Sequence, residues 1–485
     1  MQLIRQIMFQ ARLNEAAPAI AFSGGVATYG VLARMVEAAV SALELLDLPA
    51  GTPVLLDVRN PLHHTAGILA LGLLGLPSAS IGASLAVERA GVLPGLLLTD
   101  RDDLALEGVA THKLDERWFA HDPSRPVDYA RLLALPGFAG PEAVVRYVYS
   151  SGTTGFPKAV ALTGAVLERR IFHTMLTTAQ PHQGAALNMM GFSTIAGIMA
   201  PLMALPVGML LCFAQGNAEA LQMIRLFKVS MLALAVVQLR GFMTILAKEP
   251  PPDSLELVAV SGARISTALL NEARARLCSN VVMGYGSTEM GSMTGGNAVS
   301  LERFEGSAGY VRPWVDMQAV DGNGLLVPPG TDGILRARSP EMAFYATHTA
   351  DPAETIRDGW FYPGDVGRIY GDGLVVITGR TTEVINRGGV IVAPELVEEV
   401  LRLDPAVGEV AVVGVPMAGI DEIWAAVVSK QPIDAQAIAE RAQSRLNEKT
   451  PNRILRVDAI PRNENGKIMR GELRELLLSR VRSAQ

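Results

Sequence analysis

Between Ser150 and Lys158 the chain gathers residues suited to holding an anion. Ser150, Ser151, Thr153 and Thr154 offer hydroxyl donors, and Lys158 a point charge. Gly152 and Gly155 let a backbone fold closely around phosphate and expose its N–H groups. A surface turn is the bland alternative. Hydroxyl and glycine positions in succession directly after an apolar run argue against it. The spacing is that of no common phosphate loop. A Walker loop needs Gly, four residues, then Gly-Lys-Ser/Thr, whereas Gly152 is followed by T-T-G-F-P-K. GYGSTE, from Gly284 to Glu289, begins like GxGxxG but places Glu289 where the last glycine belongs. GFSTI, from Gly191 to Ile195, lacks the closing glycine of a GxSxG nucleophile elbow.

Helical and strand patterns alternate around these stretches, which predicts an α/β fold. Thr28 to Leu46 reads as an amphipathic helix capped by Thr28. Thr52–Val58, Val144–Ser151, Leu255–Gly262 and Asn280–Gly286 read as strands, and three of them run into polar, glycine-rich ends. In open α/β sheets ligands gather at the carboxyl ends of strands, so these ends point to one cleft. After Val311, DGNG, PPGTDG and GDG punctuate short strands and predict a β-rich subdomain. LVVITGR (Leu374–Arg380) leads to a helix from Pro394, the strands EVAVVGV and IWAAVVS, and a last helix ending near Arg480. The predicted architecture is a large N-terminal domain of β-sheets flanked by helices, residues 1–380, and a small α+β C-terminal domain, residues 381–485.

Composition bounds the function. The chain has 485 residues, 49% hydrophobic and 19% charged, with a mean hydropathy of +0.27, enough for a large core and too apolar for disorder. A net charge of -6 and the lack of a basic run give no case for nucleic acid. Two cysteines, Cys212 and Cys278, make neither a disulfide framework nor a cysteine zinc site, and a reducing cytoplasm is expected. The N-terminus does not read as a signal peptide. Ile171 to Ala218 contains no Asp, Glu, Lys or Arg, and Ile195–Ala214 is long enough to span a bilayer. Pro201 and Pro206 interrupt it, and a buried helix followed by a buried strand is the simpler expectation.

SSGTTGFPKAV (Ser150–Val160) resembles the phosphate-loop motif of the adenylate-forming superfamily: acyl-CoA synthetases, peptide-synthetase adenylation domains and luciferases. GYGSTE resembles the second core motif, and Gly359–Arg380 the third, continued by VINRGGVIVAPELVEEVL (Val384–Leu401). PRNENGKIMRGELR (Pro461–Arg474) resembles the C-terminal lysine motif, with weaker echoes at TYGVLAR, SGARIS and DGILRARSPEMAFY. The order is the family's and the span is nearly the whole chain.

The resemblance implies ATP and Mg2+ as cofactors, and CoA as second substrate. Ser150, Ser151, Gly152, Thr153, Thr154, Gly155 and Lys158 would cradle the β- and γ-phosphates. Tyr285 would stack on adenine beside Gly286, and Thr288 would hold the α-phosphate and substrate carboxylate. Glu289 would bind Mg2+. Asp365 and Arg380 would reach the ribose, with Ile377 near the nucleoside. Lys467 would bridge carboxylate and phosphate oxygens from a mobile C-terminal domain, and Gly388 and Gly389 would line a pantetheine tunnel. Alone, Lys467 reads as a solvated lysine, Glu289 as an acid favoured by a helix dipole, and Asp365 as a turn residue. Four ordered motifs outweigh those readings.

The chain departs from the family pattern at Ala159, at the hinge residue Thr382, and at Ser261-Gly262-Ala263, where the family has SGGA. Amino-acid-activating members pair the substrate ammonium with an Asp that corresponds here to Ser193. Many CoA ligases have a histidine there. A buried ammonium without a partner is heavily penalised, so the expected acid has no α-amino group. Met189, Met190, Ser193, Val236 and Ala263, with Gly284 nearby, form the expected acid pocket, and its methionines suit a bulky or polycyclic, aryl or medium-chain acid as well as they suit plain core packing. Acyl-CoA synthesis is the leading reading. Its rivals are an enzyme that stops at the adenylate or loads a carrier protein in trans, and a non-catalytic nucleotide sensor. A homodimer is left open.

Overall fold

The computed structural model describes the chain apart from residues 1, 82–93, 123, 152–156, 178–183, 264, 305, 346–354, 382–384, 388–389, 393, 418–419, 430, 463–467 and 484–485. The chain divides into two compact units, residues 1–316 with 337–361, and residues 317–336 with 362–485.

The described residues of the first unit form two large sheets. In one, the strands Pro18–Phe22, Leu210–Phe213, Ala185–Asn188, Val229–Ala235, Leu257–Ser261 and Val281–Met283 lie side by side and parallel. Thr294–Asn297 and Ser307–Val311 extend it antiparallel. In the other, Val144–Ser151, Ser78–Ser80, Val54–Asp57, Leu96–Thr99 and Ala110–Lys113 are parallel, with Pro157–Thr163 antiparallel beyond Val144–Ser151. Every residue of Val54–Asp57 and Leu96–Thr99 is buried, as parallel strands covered on both faces require.

The helix expected after Thr28 runs from Tyr29 to Glu44, and the Thr28 hydroxyl accepts the Val31 N–H at 3.2 Å. The charge-free segment forms the helix Ile195–Ala204 followed by the strand Leu210–Phe213, both packed into the core. No helix among the described residues is long and apolar enough to cross a membrane. At Gly197 a Cβ would stand 2.0 Å from the Gly191 carbonyl oxygen, so only glycine lets this helix start so close to the preceding loop.

In the second unit, Asp365–Ile369 pairs antiparallel with Leu374–Arg380. A separate sheet joins Glu409–Met417, Ile420–Val428 and Arg453–Val457. Val397, Leu401, Ile438 and Leu446 of the helices Pro394–Arg402 and Ala435–Leu446 share one apolar cluster of this layer. Leu473 and Leu477 of the helix Arg470–Ser483 join Trp424 in another. The alternating strands bury a different residue set on each face, which is why this unit needs helices on both.

Candidate active site

Val144–Ser151 and Pro157–Thr163 form an antiparallel hairpin, with Ser150 opposite Lys158 and Ser151 opposite Pro157. The hydroxyl- and glycine-rich stretch therefore connects two paired strands. Gly152, Thr153, Thr154 and Gly155 lie outside the described residues, as do the side chains of Ser150 and Ser151. Lys158 stands with its ammonium 5.6 Å from the centre of the Tyr345 ring.

The stretch Gly284–Glu289 leaves the strand Val281–Met283 and folds into a tight hairpin, Gly286–Ser287 against Gly291–Ser292. A Cβ on Gly286 would meet the Gly291 carbonyl oxygen at 2.2 Å, which explains the glycine the motif carries there. The Tyr285 N–H donates to the Thr294 hydroxyl at 3.1 Å, and its carbonyl accepts from Met293 and Thr294. Thr288 and Glu289 follow on this braced backbone.

A buried arginine holds both. Arg170 donates to the carbonyls of Thr288 at 2.9 Å and Glu289 at 2.7 Å, and twice to that of Glu341. The Glu289 carbonyl also accepts the Ala343 N–H at 2.7 Å. Burial lowers Arg170 to about 10, opposed by the nearby Glu341 and Glu289 carboxylates, so it stays charged at neutral pH. The Glu341 carboxylate pairs with the His173 ring at 2.5 Å, and Trp314 stacks on that ring.

The Glu289 side chain is only 8% exposed, and its Oε1 accepts the Tyr345 hydroxyl at 3.0 Å. Burial, with the Glu289 charge second, pushes Tyr345 far above the ordinary phenol range, so it acts as a permanent donor. One engaged oxygen leaves the other lone pairs of a hard carboxylate for a hard cation, a donor set that fits Mg2+. Among the described residues no cluster of three or more His, Cys, Asp or Glu could hold a metal.

The residues expected to face the acid lie along one edge. Asn188, Ala235, Ser261 and Met283 end four neighbouring parallel strands, in registers that pair Ala233 with Asn188, Ala235 with Ser261, and Val260 with Met283. Met189, Val236 and Gly284 follow directly on three of those ends, Ala263 follows Ser261 after Gly262, and Met190 and Ser193 continue the first of them. Met189 and Val236 are buried, Met190, Ser193 and Gly284 half-buried, and Ala263 exposed. Gln238 donates to the Met189 carbonyl at 2.8 Å, and the Asn188 amide bonds Met190 in both directions.

In the second unit, Asp365 is buried and paired with Arg380, whose Nε lies 2.8 Å from Oδ1. They face each other in register, and Ile377 follows opposite Gly367. Lys467 lies outside the described residues, but both ends of its loop are fixed. Arg462 bridges Ile468 in a β-bridge, and the Met469 N–H donates to Pro461 at 2.9 Å. Arg470 bonds Glu395, Glu398 and the Val412 carbonyl, each at 2.6 Å. Gly388 and Gly389 link the paired strands Ile385–Arg387 and Val390–Val392, and with Thr382 they lie outside the described residues.

Little in the local sequence marks Arg170 and Tyr345 as site residues. Arg170 stands one residue before the charge-free run, and Tyr345 closes the weak echo DGILRARSPEMAFY.

Residues 9–344 match the family of AMP-binding enzymes, and residues 396–467 match the C-terminal domain of AMP-binding enzymes. A 4-chlorobenzoate–CoA ligase of an Arthrobacter species is 27% identical over 480 residues, 94% of this chain and 91% of that protein. A fatty acid–[acyl-carrier-protein] ligase, ScoC, of Streptomyces coeruleorubidus is 31% identical over 368 residues, 69% of this chain and 68% of its own. The structure of o-succinylbenzoate coenzyme A synthetase (MenE) from Bacillus subtilis, in complex with ATP and magnesium ion, shares the fold at a TM-score of 0.80 and 22% identity, covering 97% of this chain and 99% of that one. The chain belongs to the AMP-binding family of adenylate-forming enzymes, the ligases that activate carboxylic acids.

Proposed function

We propose that this enzyme uses ATP to activate a carboxylic acid without an α-amino group, and then transfers the acyl group to the thiol of CoA. The observation that carries the reading is the meeting of two features at Gly284. The edge formed by Met189, Val236 and Ala263 ends there, and the hairpin bearing Thr288 and Glu289 begins there. An acid lying along the edge presents its carboxylate to Thr288.

In the first step a carboxylate oxygen attacks the α-phosphorus of ATP. The bond from the α-phosphorus to the α,β-bridging oxygen breaks, and pyrophosphate leaves with the electron pair. Two anions must approach each other, so preorganised positive groups carry the catalysis. Lys158 and the loop from Ser150 to Gly155 hold the β- and γ-phosphates. Glu289, fixed by Tyr345 and Arg170, would hold Mg2+, which would neutralise charge on the phosphate oxygens. Asp365 accepts the ribose hydroxyls, with Arg380 at its side, Ile377 packs by the nucleoside, and Tyr285 and Gly286 flank the adenine. Lys467 delivers a full charge to the reacting oxygens. In the second step the CoA sulfur attacks the acyl carbon, AMP departs with the bonding electrons, and the thiol proton passes to solvent. Gly388 and Gly389, in the C-terminal domain of residues 381–485, line the path of the pantetheine arm.

The absence of carboxylates from Ile171 to Ala218 supports an acid lacking an ammonium group. The two free thiols suit a reducing compartment, and we place the enzyme in the cytoplasm. The ScoC relative, named for a carrier-protein substrate, favours a second reading in which a carrier protein in trans accepts the acyl group.

Acid-dependent pyrophosphate exchange with a panel of acids tests the first step. Aryl, bulky or medium-chain acids without an amine support exchange, and the twenty standard amino acids do not. Robust exchange with any of those amino acids refutes the assignment of Ser193.

A further inference from the structure

Arg146 is a buried cation with no carboxylate partner among the described residues. It is 2% exposed and sits on the strand Val144–Ser151, four residues before Ser150. Its guanidinium donates to the Ser78 hydroxyl at 2.9 Å, the Ser80 hydroxyl at 2.5 Å and the Phe192 carbonyl at 3.0 Å. All three acceptors are neutral, and its Nε has no partner among the described residues. Arg146 and Ser78 also border a cavity whose remaining lining is apolar, including Ile198 and Leu202 of the helix after Ser193, and supplies no carboxylate. Burial pulls Arg146 down to about 9, so it remains charged at neutral pH. Such a group is expensive to bury and is a poor device for stability alone.

What it grips is specific. Phe192 is the residue before Ser193, in the loop Met189–Thr194 that continues the strand Ala185–Asn188. A second hold falls on the same residue, because the His64 ring lies flat on the Phe192 ring, with centroids 4.1 Å apart and planes 8° from parallel. The two holds share one hydrogen-bond chain. Burial pushes His64 down to about 3, so the ring is neutral. Its Nδ1–H donates to the Val58 carbonyl at 2.8 Å, which leaves Nε2 to accept from the Ser80 hydroxyl at 2.6 Å. Ser80 in turn accepts from Arg146. Each proton in the chain has a single place, so the carbonyl and the ring of Phe192 are fixed together.

We propose that Arg146 is a positioning residue that sets acid selectivity, by tying the acid-facing loop Met189–Thr194 to the strand that runs into the phosphate loop. The proposal rests on the reading that Met189, Met190 and Ser193 face the acid. A pocket wall discriminates between acids only if it resists displacement by the wrong one. The other ends of this loop are already bound, Met189 by Gln238 and Met190 by Asn188. Arg146 supplies the remaining anchor, and it does so from the second sheet, so the positions of acid and phosphates are set by one strand.

The test compares the wild type with Arg146→Met and Phe192→Leu. Hydrogen exchange of the peptide covering residues 189–198 reads the anchor without reference to any substrate. Arg146→Met speeds exchange there by about fivefold or more, with residues 435–446 as an unaffected reference. In pyrophosphate exchange, the same variant raises KM for the preferred acid and compresses the preference between acids of different bulk by about tenfold, while KM for ATP holds within about twofold. Phe192→Leu, which removes the stacked ring and keeps the carbonyl, moves both readouts in the same direction by less, and serves if Arg146→Met does not fold. Unchanged exchange in residues 189–198 refutes the anchor. Faster exchange with unaltered acid preference, or KM for acid and ATP rising together, refutes the selectivity role and leaves Arg146 a structural residue. If the wild type activates no acid at all, the adenylation reading fails, and the hydrogen-exchange arm still decides the anchor.

Discussion

Lys467→Ala lowers acid-dependent pyrophosphate exchange by about two to three orders of magnitude, while ATP binding survives. The lysine offers a charge-assisted contact that strengthens as negative charge gathers between the carboxylate and the α-phosphate. Its removal therefore costs transition-state stabilisation rather than ground-state affinity. The variant isolates that charge because the ends of the loop are held independently. The Arg462–Ile468 bridge and the ion pairs of Arg470 with Glu395 and Glu398 do not involve the lysine side chain. Exchange rates at saturating ATP, with calorimetric titration of ATP, check both halves of the expectation. Near-normal exchange in the variant shows that another group supplies the charge.

Glu289→Gln lowers exchange by about a hundredfold and moves the Mg2+ midpoint to higher concentration. The amide keeps the shape of the carboxylate, and its oxygen still accepts from Tyr345, so the hairpin stays in place. What is lost is the charge that draws the cation. Tyr345→Phe provides the graded comparison. It keeps the acid and removes the hydroxyl that orients it, and shifts the Mg2+ midpoint by about tenfold, the usual effect of an outer-shell partner. Excess Mg2+ recovers most of the Tyr345→Phe loss and little of the Glu289→Gln loss. A midpoint unmoved in both variants means that Glu289 does not hold the metal.

Local pattern was enough for the elements and for the places where the chain turns. Val144–Ser151 and Leu374–Arg380 were legible to the residue, because β-branched runs end abruptly in glycine-rich stretches or arginine. Thr28 announced its helix because a hydroxyl before a helical pattern has one good use. Pro201 and Pro206 correctly argued for a short helix and a strand over a span. The partners of the buried charges were not legible. Arg170 meets carbonyls 118, 119 and 171 residues away, and Arg146 meets Phe192 46 residues away. No periodicity records such pairings, since they depend on which strand lies beside which. An arginine in the middle of an apolar strand was the only local trace of the Arg146 cluster. The same limit applies to Tyr345, whose place over Glu289 follows from the pairing of Phe344–Tyr345 with Pro157–Thr163.

In the proposed reaction one site forms an acyl-adenylate and then a thioester. Thr382 stands where the resembled family has a charged hinge residue, and a β-branched residue in that role would give a slow second step rather than a missing one. The direct measurement forms acyl-adenylate on the enzyme from ATP, Mg2+ and a preferred acid, adds CoA in a single turnover, and follows AMP release and acyl-CoA by mass. Acyl-CoA is expected to appear together with AMP, faster than in a control of free acyl-adenylate and CoA. Acyl-CoA no faster than in that control contradicts it, and leaves an enzyme that stops at the adenylate or serves a carrier protein.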